Sequence, residues 1–394
     1  MPLTHLLQGT QWWSLDALRE LQAGLLHRLI RHASAHTAHY RTVLEERGLT
    51  PDDIRTVEDL RLLPLLDRDH ARDTFEARSA TGGPPGVVKQ ASSDATGAPV
   101  VVTYNAESRH WREATRWRGH GWAGYRIGMR ALRYAGTPPG SDGFSARANV
   151  AADHLDRHRA RHFARRLASR LLGRDLFIDC VVRSEAALAH AVREIKRFEP
   201  DVIMAHAGGA AALARFVLDH GLRTWGDLPV ITSAERLWPF ERGQIHAAFG
   251  PAFETYGCRE MTLIGAECEA HDGMHTSMEN LIVELVVREP DGRVRAARAG
   301  EPGLVAITDL HNLACPMIRY VTGDVAVSRG EDRCACRRSL IRIGPVDAPA
   351  RHLQPTPPRV ARLDEIPLTD LGTRNVVVVE PERARLGVLT SPTS

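Results

Sequence analysis

Apolar residues recur along this chain with two different periods. After Ser14, leucines at 18, 21, 25 and 29 fall three or four positions apart, which predicts an amphipathic helix with Ser14 as its cap. Ser184 predicts a second cap, followed by Leu188, Val192 and Ile195 on one face and stopped by Pro200. The short apolar run Asp201-Val202-Ile203-Met204-Ala205 predicts a buried strand, and Gly208-Gly209 a turn opening a helix through Phe216 and Leu218. Val230-Ile231-Thr232 predicts the next strand, delivering Ser233-Ala234-Glu235 at its carboxyl end. Phe253-Glu254-Thr255 delivers Tyr256-Gly257 in the same way. Strand, helix and strand at this spacing predict parallel α/β layers, with ligand groups at the strand carboxyl ends. Residues 281–287 and 303–308 predict a β-rich part, joined by the turn Pro290-Asp291-Gly292.

Composition narrows the function classes. The 394 residues are 43% hydrophobic and 25% charged, as in an ordinary globular protein with ample core. A formal net charge of +3 gives no global case for nucleic acid or membrane binding. Of the 51 basic Lys and Arg residues only Lys89 and Lys196 are lysines, and the chain-wide preference for arginine reads as a compositional habit. The opening MPLTHLLQGTQWW has no basic region followed by a long apolar core, so no secretory signal is expected. No run approaches the ~18 apolar residues needed to span a bilayer. Six cysteines fit a reducing, cytoplasmic setting better than a disulfide scaffold.

Three phrases carry the chemistry. Ser92-Ser93-Asp94-Ala95-Thr96-Gly97-Ala98-Pro99 is a short hydroxyl- and glycine-rich loop of the kind whose backbone N–H groups cradle phosphates. Thr255-Tyr256-Gly257-Cys258-Arg259-Glu260 and Ile318-Arg319-Tyr320-Val321-Thr322-Gly323-Asp324 follow it. The three resemble, in order and separation, the Ser-Ser-Gly-Thr-Thr-Gly-x-Pro, Tyr-Gly-x-Thr-Glu and Arg-Tyr-x-Thr-Gly-Asp segments of adenylate-forming enzymes. The helical opening, with His32-Ala33, Tyr40-Arg41 and Leu63-Pro64-Leu65, is similar to the phenylacetate–CoA ligase-like branch of that superfamily.

The resemblance covers about residues 14–343. It implies an α/β fold: a large adenylate-forming domain over 1–343, with parallel sheets, helices and a β-rich subdomain, and a short divergent carboxyl-terminal remnant over 344–394. It implies ATP-dependent activation of a small, aromatic carboxylic acid as acyl-adenylate, with transfer to CoA or to another acceptor such as a carrier protein. Ser92, Ser93, Thr96 and Gly97 would hold phosphates, with Thr96 and Glu260 in catalytic roles. Ala234 and Glu235 would border the adenine, Tyr256 and Gly257 would face the purine, Glu260 would hold Mg²⁺, and Asp324 would accept the ribose hydroxyls. His206 would line the acyl pocket. Cys268, His275, Cys334 and Cys336 resemble segments that suit a tetrahedral Zn²⁺, with His271 as the other candidate imidazole. Cys258 and Cys315 receive no catalytic role.

Departures support a second reading. Asp94 and Ala95 stand where relatives carry glycine and threonine, so a carboxylate meets the polyanion. Arg342-Ile343-Gly344-Pro345-Val346-Asp347 lacks the arginine that follows the family's hinge glycine. Neither lysine lies where the family's bridging lysine falls, so Arg342 or Arg351 would have to serve. A catalytically impaired relative, kept to bind nucleotide, substrate or a partner, is the alternative. Seven arginines from Arg157 to Arg174 form a basic stretch, expected as a solvated helix face before a docking patch for CoA phosphates.

Overall fold

In a computed structural model, which describes residues 2–91, 99–136 and 174–347, Ser14 accepts a hydrogen bond from the Ala17 N–H and caps the helix Leu15–His36. Its buried stripe is Leu18, Gln22, Leu26, Leu29, Ile30 and Ala33, turned from the expected leucine run. Gln22 decides the rotation, because its amide donates to the carbonyls of Met278 and Leu281 at 3.0 and 2.9 Å and so is satisfied while buried. Ser184 caps the helix Glu185–Phe198 as expected, with Leu188, Ala191, Val192 and Ile195 inward.

The strands are β1 (Gly86–Ala91), β2 (Val101–Asn105), β3 (Ala131–Ala135), β4 (Asp175–Asp179), β5 (Val202–His206), β6 (Val230–Ser233) and β7 (Ala252–Cys258). They continue with β8 (Thr262–Glu267), β9 (Met274–Thr276), β10 (Leu281–Arg288), β11 (Val294–Ala296), β12 (Pro302–Asp309), β13 (Tyr320–Ser328) and β14 (Arg342–Asp347). β1 and β2 form an antiparallel pair of their own, and the other twelve make one sheet in the order β11-β10-β12-β13-β14-β9-β8-β7-β6-β5-β3-β4. From β4 to β7 every pairing is parallel, whereas from β7 onward every pairing is antiparallel. β7 is therefore the seam between an α/β half and a β-rich half. Gly208 and Gly209 lie inside the first turn of the helix Ala207–Asp219 rather than in a preceding turn. Pro290-Asp291-Gly292 closes the hairpin between β10 and β11, a short strand the sequence pattern did not predict.

Each half has its own core. Leu132, Tyr134, Ile203 and Val230 pack with the helices on the parallel strands, while Tyr256, Ile264, Val305, Ile307 and Tyr320 fill the antiparallel side. Among the described residues no helix is long and apolar enough to cross a membrane. The helix Ala106–Trp122 bridges the halves: its buried arginines pair on the antiparallel side, while Trp117 packs against the parallel strands. Arg118 and Glu279 are both 0% exposed and form a two-pronged pair, and the Thr10 hydroxyl donates to the same carboxylate at 2.5 Å.

Removing one member of such a pair strands the other in a dry interior. Glu279→Ala should therefore destabilise the protein by about 3–5 kcal/mol, and Thr10→Val by roughly 1 kcal/mol. Chemical denaturation reads both; an unchanged midpoint for Glu279→Ala would show that the pair does not hold the bridging helix.

Candidate functional site

β7 runs through Tyr256-Gly257 to Cys258, and the turn after it carries Glu260. A Cβ at Gly257 would stand 2.1 Å from the Thr262 carbonyl oxygen, so the approach of β8 alone requires glycine there. The Tyr256 ring packs in the antiparallel core, and its hydroxyl donates to Asp324 Oδ2 at 2.8 Å, with Thr322 Oγ1 3.2 Å away. Burial pushes Asp324 up to about 6, opposed by the Tyr256 and Thr322 hydrogen bonds and reinforced by Glu260. Glu260 is 2% exposed, and its Oε1 accepts from the Tyr320 hydroxyl at 3.0 Å and from Arg68 at 3.2 Å. The Glu260 backbone carbonyl accepts from Arg112 at 2.6 Å. Tyr256 and Asp324 thus form one hydrogen-bonded group and Glu260, Tyr320 and Arg68 another, with Asp324 within electrostatic reach of Glu260.

Arg68 is the cation that sequence reasoning missed. Its Asp67 cap gives a helix start, but nothing in the sequence says that the guanidinium turns toward Glu260. Arg342, one of the two arginines considered as a stand-in for the missing lysine, is committed to Asp272 and to the Asp332 carbonyl. Three non-glycine residues hold left-handed backbone around this region: Ala234 (φ 73°), Thr262 (φ 68°) and Arg319 (φ 55°). Such positions cost of order 1–3 kcal/mol and gather where function over-determines geometry.

Beyond β6, Glu235 turns toward the neighbouring helix, where its Oε1 accepts the Gly208 N–H at 2.7 Å. A carboxylate at that helix start is favoured by the helix dipole. The next residue, Arg236, grips both oxygens of Asp347 at 2.7 and 2.9 Å, tying the Ser-Ala-Glu segment to the end of β14. His206 ends β5 as the N-cap residue, half-buried, with burial lowering its pKa.

Cys268, His275, Cys334 and Cys336 converge, with all four ligand atoms within 4.8 Å of one another. Cys268 and Cys334 sulfurs are 3.7 Å apart, and Cys336 Sγ lies 3.3 Å from His275 Nε2. Zn–S bonds of about 2.3 Å in a tetrahedron place sulfurs roughly 3.8 Å apart, so this donor set fits zinc. His275 Nδ1 is hydrogen-bonded to the Leu340 carbonyl at 3.0 Å, which leaves Nε2 to face the thiols. His271 instead lies against Glu267 and Arg242, outside the cluster.

Ser92, Ser93, Thr96 and Gly97, together with Asp94 and Ala95, lie outside the described residues, as do the basic stretch from Arg157 to Arg170 and everything from residue 348 onward. Arg174, the last of that stretch, is described, with its carbonyl accepting from the Ala131 N–H at 2.8 Å.

No protein-family model matches the chain. The phenylacetate–coenzyme A ligase of Thermus thermophilus is 26% identical over 339 residues, spanning 84% of this chain and 70% of the relative. That of Pseudomonas putida is 28% identical over 335 residues, 81% and 69% of the two chains. That of Escherichia coli is 28% identical over 325 residues, 79% and 67%. Among solved structures, 2-hydroxyisobutyryl-CoA ligase in complex with 2-HIB-AMP and CoA superposes with a TM-score of 0.64 at 20% identity, covering 85% of this chain and 69% of that one. The fold is that of the adenylate-forming CoA ligases. By sequence the chain is a relative of the phenylacetate–coenzyme A ligases.

Glu254, two residues before Tyr256, offers a pH probe of this seam. Its Oε1 accepts the Leu237 N–H at 2.9 Å. Burial raises its carboxyl from 4.5 to about 7, against that hydrogen bond and the nearby Arg242 and Arg236, with Glu267 adding to the rise. A raised acid stabilises the fold fully below its unfolded value and loses that contribution as pH climbs through the folded value. Glu254→Gln keeps an acceptor for Leu237 without the charge. Its melting temperature should gain on the wild type as pH rises from about 5 to about 8; a gap independent of pH would refute the raised carboxyl.

Proposed function

We infer that this protein is an adenylate-forming ligase that binds ATP and activates a small carboxylic acid as acyl-AMP, with CoA as the acceptor that the relatives' names suggest. The observation that carries this reading is the cluster of Tyr256, Glu260 and Asp324 at the end of β7, where a parallel sheet turns antiparallel. Ligands of open α/β sheets bind at strand carboxyl ends. Asp324 is the acceptor for the ribose hydroxyls and must be ionised to act, so nucleotide binding weakens as pH falls through about 6. Glu260 would hold Mg²⁺, which would bridge and neutralise phosphate oxygens. Arg68, beside Glu260, supplies fixed positive charge to the same phosphates. Ser92, Ser93, Thr96 and Gly97 complete the cradle, and Ala234, Glu235, Tyr256 and Gly257 border the base. His206 faces the acid. The aromatic character of the acid rests on the relatives alone.

The second reading is an impaired relative that binds without turnover. Asp94 and Ala95 in the phosphate loop favour it, as does the internal pairing of both acceptors, Asp324 with Tyr256 and Glu260 with Arg68. Pyrophosphate exchange into ATP across a panel of acids separates the two. Exchange above the no-acid background supports the enzyme; nucleotide binding without exchange supports the remnant. Losing a charge-assisted hydrogen-bond pair costs about 1.5–3 kcal/mol per bond, so Asp324→Ala should weaken AMP binding at least ten-fold by calorimetry. Equal affinity in that variant would refute the ribose assignment.

The four-residue cluster holds a structural Zn²⁺ in this reading, with Cys268, Cys334, Cys336 and His275 as ligands and no part in the chemistry. It would clasp the β8–β9 connection to the segment before β14. Because a structural metal contributes its binding energy to folding, Cys334→Ser should release zinc and lower the melting temperature. Metal analysis finding well under one zinc per never-chelated chain would end this assignment.

A further inference from the structure

The three sulfurs around His275 are not equally sheltered. Cys268 is 0% exposed and Cys334 4%, whereas Cys336 is half-buried. A site that only fastens the fold gains nothing from a sulfur open to solvent, and an open sulfur is the one a small oxidant meets first. Cys336 Sγ accepts the Arg338 N–H at 3.4 Å, and Arg337 and Arg338 follow it in the chain. Partly exposed, electropositive surroundings of this kind are where cysteines react.

A second sulfur stands within reach. Cys268 and Cys334 sulfurs are 3.7 Å apart, and Cys336 Sγ lies no more than 4.8 Å from either. A disulfide bond is about 2.05 Å long, so closure asks for a movement of roughly 2–3 Å. The turn Cys334–Arg337, closed by the Arg337 N–H on the Cys334 carbonyl at 2.9 Å, lies between β13 and β14 and outside any strand. It can supply that movement without breaking a ladder of the sheet. The same turn leads into contacts with the amino-terminal segment: the Ser339 N–H donates to the Gln11 carbonyl at 3.3 Å and Arg338 Nε to Gln11 Oε1 at 3.1 Å.

We propose that this cluster is a peroxide-sensitive clasp, in which oxidation joins Cys268 to the Cys334–Cys336 turn by a disulfide and frees the metal. The inference rests on the zinc reading. The Cys336 sulfur attacks one oxygen of hydrogen peroxide, the O–O bond breaks, and a sulfenic acid and one water result. The Cys268 sulfur then attacks the Cys336 sulfur, the S–O bond breaks, and a second water leaves with the Cys268 proton. Two thiols and one peroxide thus give one disulfide and two waters, with sulfur oxidised and peroxide oxygen reduced. Cys334 can take over the bond to Cys268 by thiol–disulfide exchange without altering this balance. Either bond removes two of the four ligands, too few left for a closed tetrahedral site.

The test treats the full, never-chelated chain with one equivalent of hydrogen peroxide and follows zinc with a chromogenic chelator. About one zinc per chain should be released, and the thiol titre should fall from six to four, two being lost per disulfide. Trypsin, cutting after Arg259, Arg288, Arg333 and Arg337, puts Cys268 on one peptide and Cys334 with Cys336 on another, so the bond is read as their joined mass. The oxidised, zinc-free protein should melt a few degrees above the reduced, chelator-stripped protein, because the disulfide replaces the bridge. Cys336→Ala should cross-link Cys268 to Cys334 at least about ten-fold more slowly than the wild type forms its bond, since the open sulfur is gone. Zinc retained under peroxide, or a bond confined to Cys334 and Cys336, would overturn the proposal. So would an oxidised chain no more stable than the stripped one, or an unslowed Cys336→Ala. With one zinc per chain at the start, those outcomes leave the zinc reading standing. A never-chelated chain without zinc brings down that reading and this proposal with it.

Discussion

The candidate site depends on one buried guanidinium. Arg112, reaching across from the helix Ala106–Trp122, donates to the Glu260 carbonyl at 2.6 Å and to Asp309 at 2.5 Å. Arg112 is 2% exposed and Asp309 0%, so neither charge can turn to water if the other moves. The contact fixes the turn between β7 and β8, and through that turn the carboxylate of Glu260. Arg319 repeats the device on the opposite side, pairing with Glu284 and donating to the Leu63 carbonyl at 2.7 Å, which sets the neighbouring Tyr320 hydroxyl against Glu260. Abundant arginine in the composition therefore has a structural share. Arg78, Arg112, Arg118, Arg319 and Arg342 are buried, and each satisfies carbonyls or carboxylates from distant segments. A planar fork with five donors can join three segments at once, which an ammonium does less well.

The second constraint is the change of pairing at β7. Thr232 pairs in parallel with Glu254, while Thr255 and Tyr256 pair antiparallel with Ala266 and Gly265. At that step parallel pairing gives way to antiparallel pairing, and the chain leaves the sheet at the end of β6. Glu235 and Arg236 emerge there. One binds the start of the helix Ala207–Asp219 and the other binds Asp347 at the end of β14. The segment after β6 is thereby anchored to both halves of the molecule.

How far the sequence reveals this depends on the reach of each interaction. Period and caps are local, so the helix Glu185–Phe198 and the parallel strands are legible, and the motif residues Tyr256, Glu260 and Asp324 are found by their phrases. The buried face of the helix Leu15–His36 is not legible, because Gln22 is buried through carbonyls at Met278 and Leu281 that no local pattern announces. Arg68 is missed for the same reason, being 192 positions from the carboxylate it meets. The choice of His275 over His271 is made by backbone: His275 sits in β9, held by the Leu340 carbonyl, while His271 takes a left-handed conformation (φ 50°) in the preceding loop.

Asp324 and Glu260 already have internal partners, and this shapes any affinity the candidate site can show. A bare Asp324 or Glu260 in this interior would carry a desolvation penalty of roughly 1–3 kcal/mol or more. The Tyr256 hydroxyl and the Arg68 guanidinium remove that penalty while no ligand is bound. A ribose or a divalent ion therefore exchanges one hydrogen bond for another instead of satisfying an empty group, and each contact contributes only the difference.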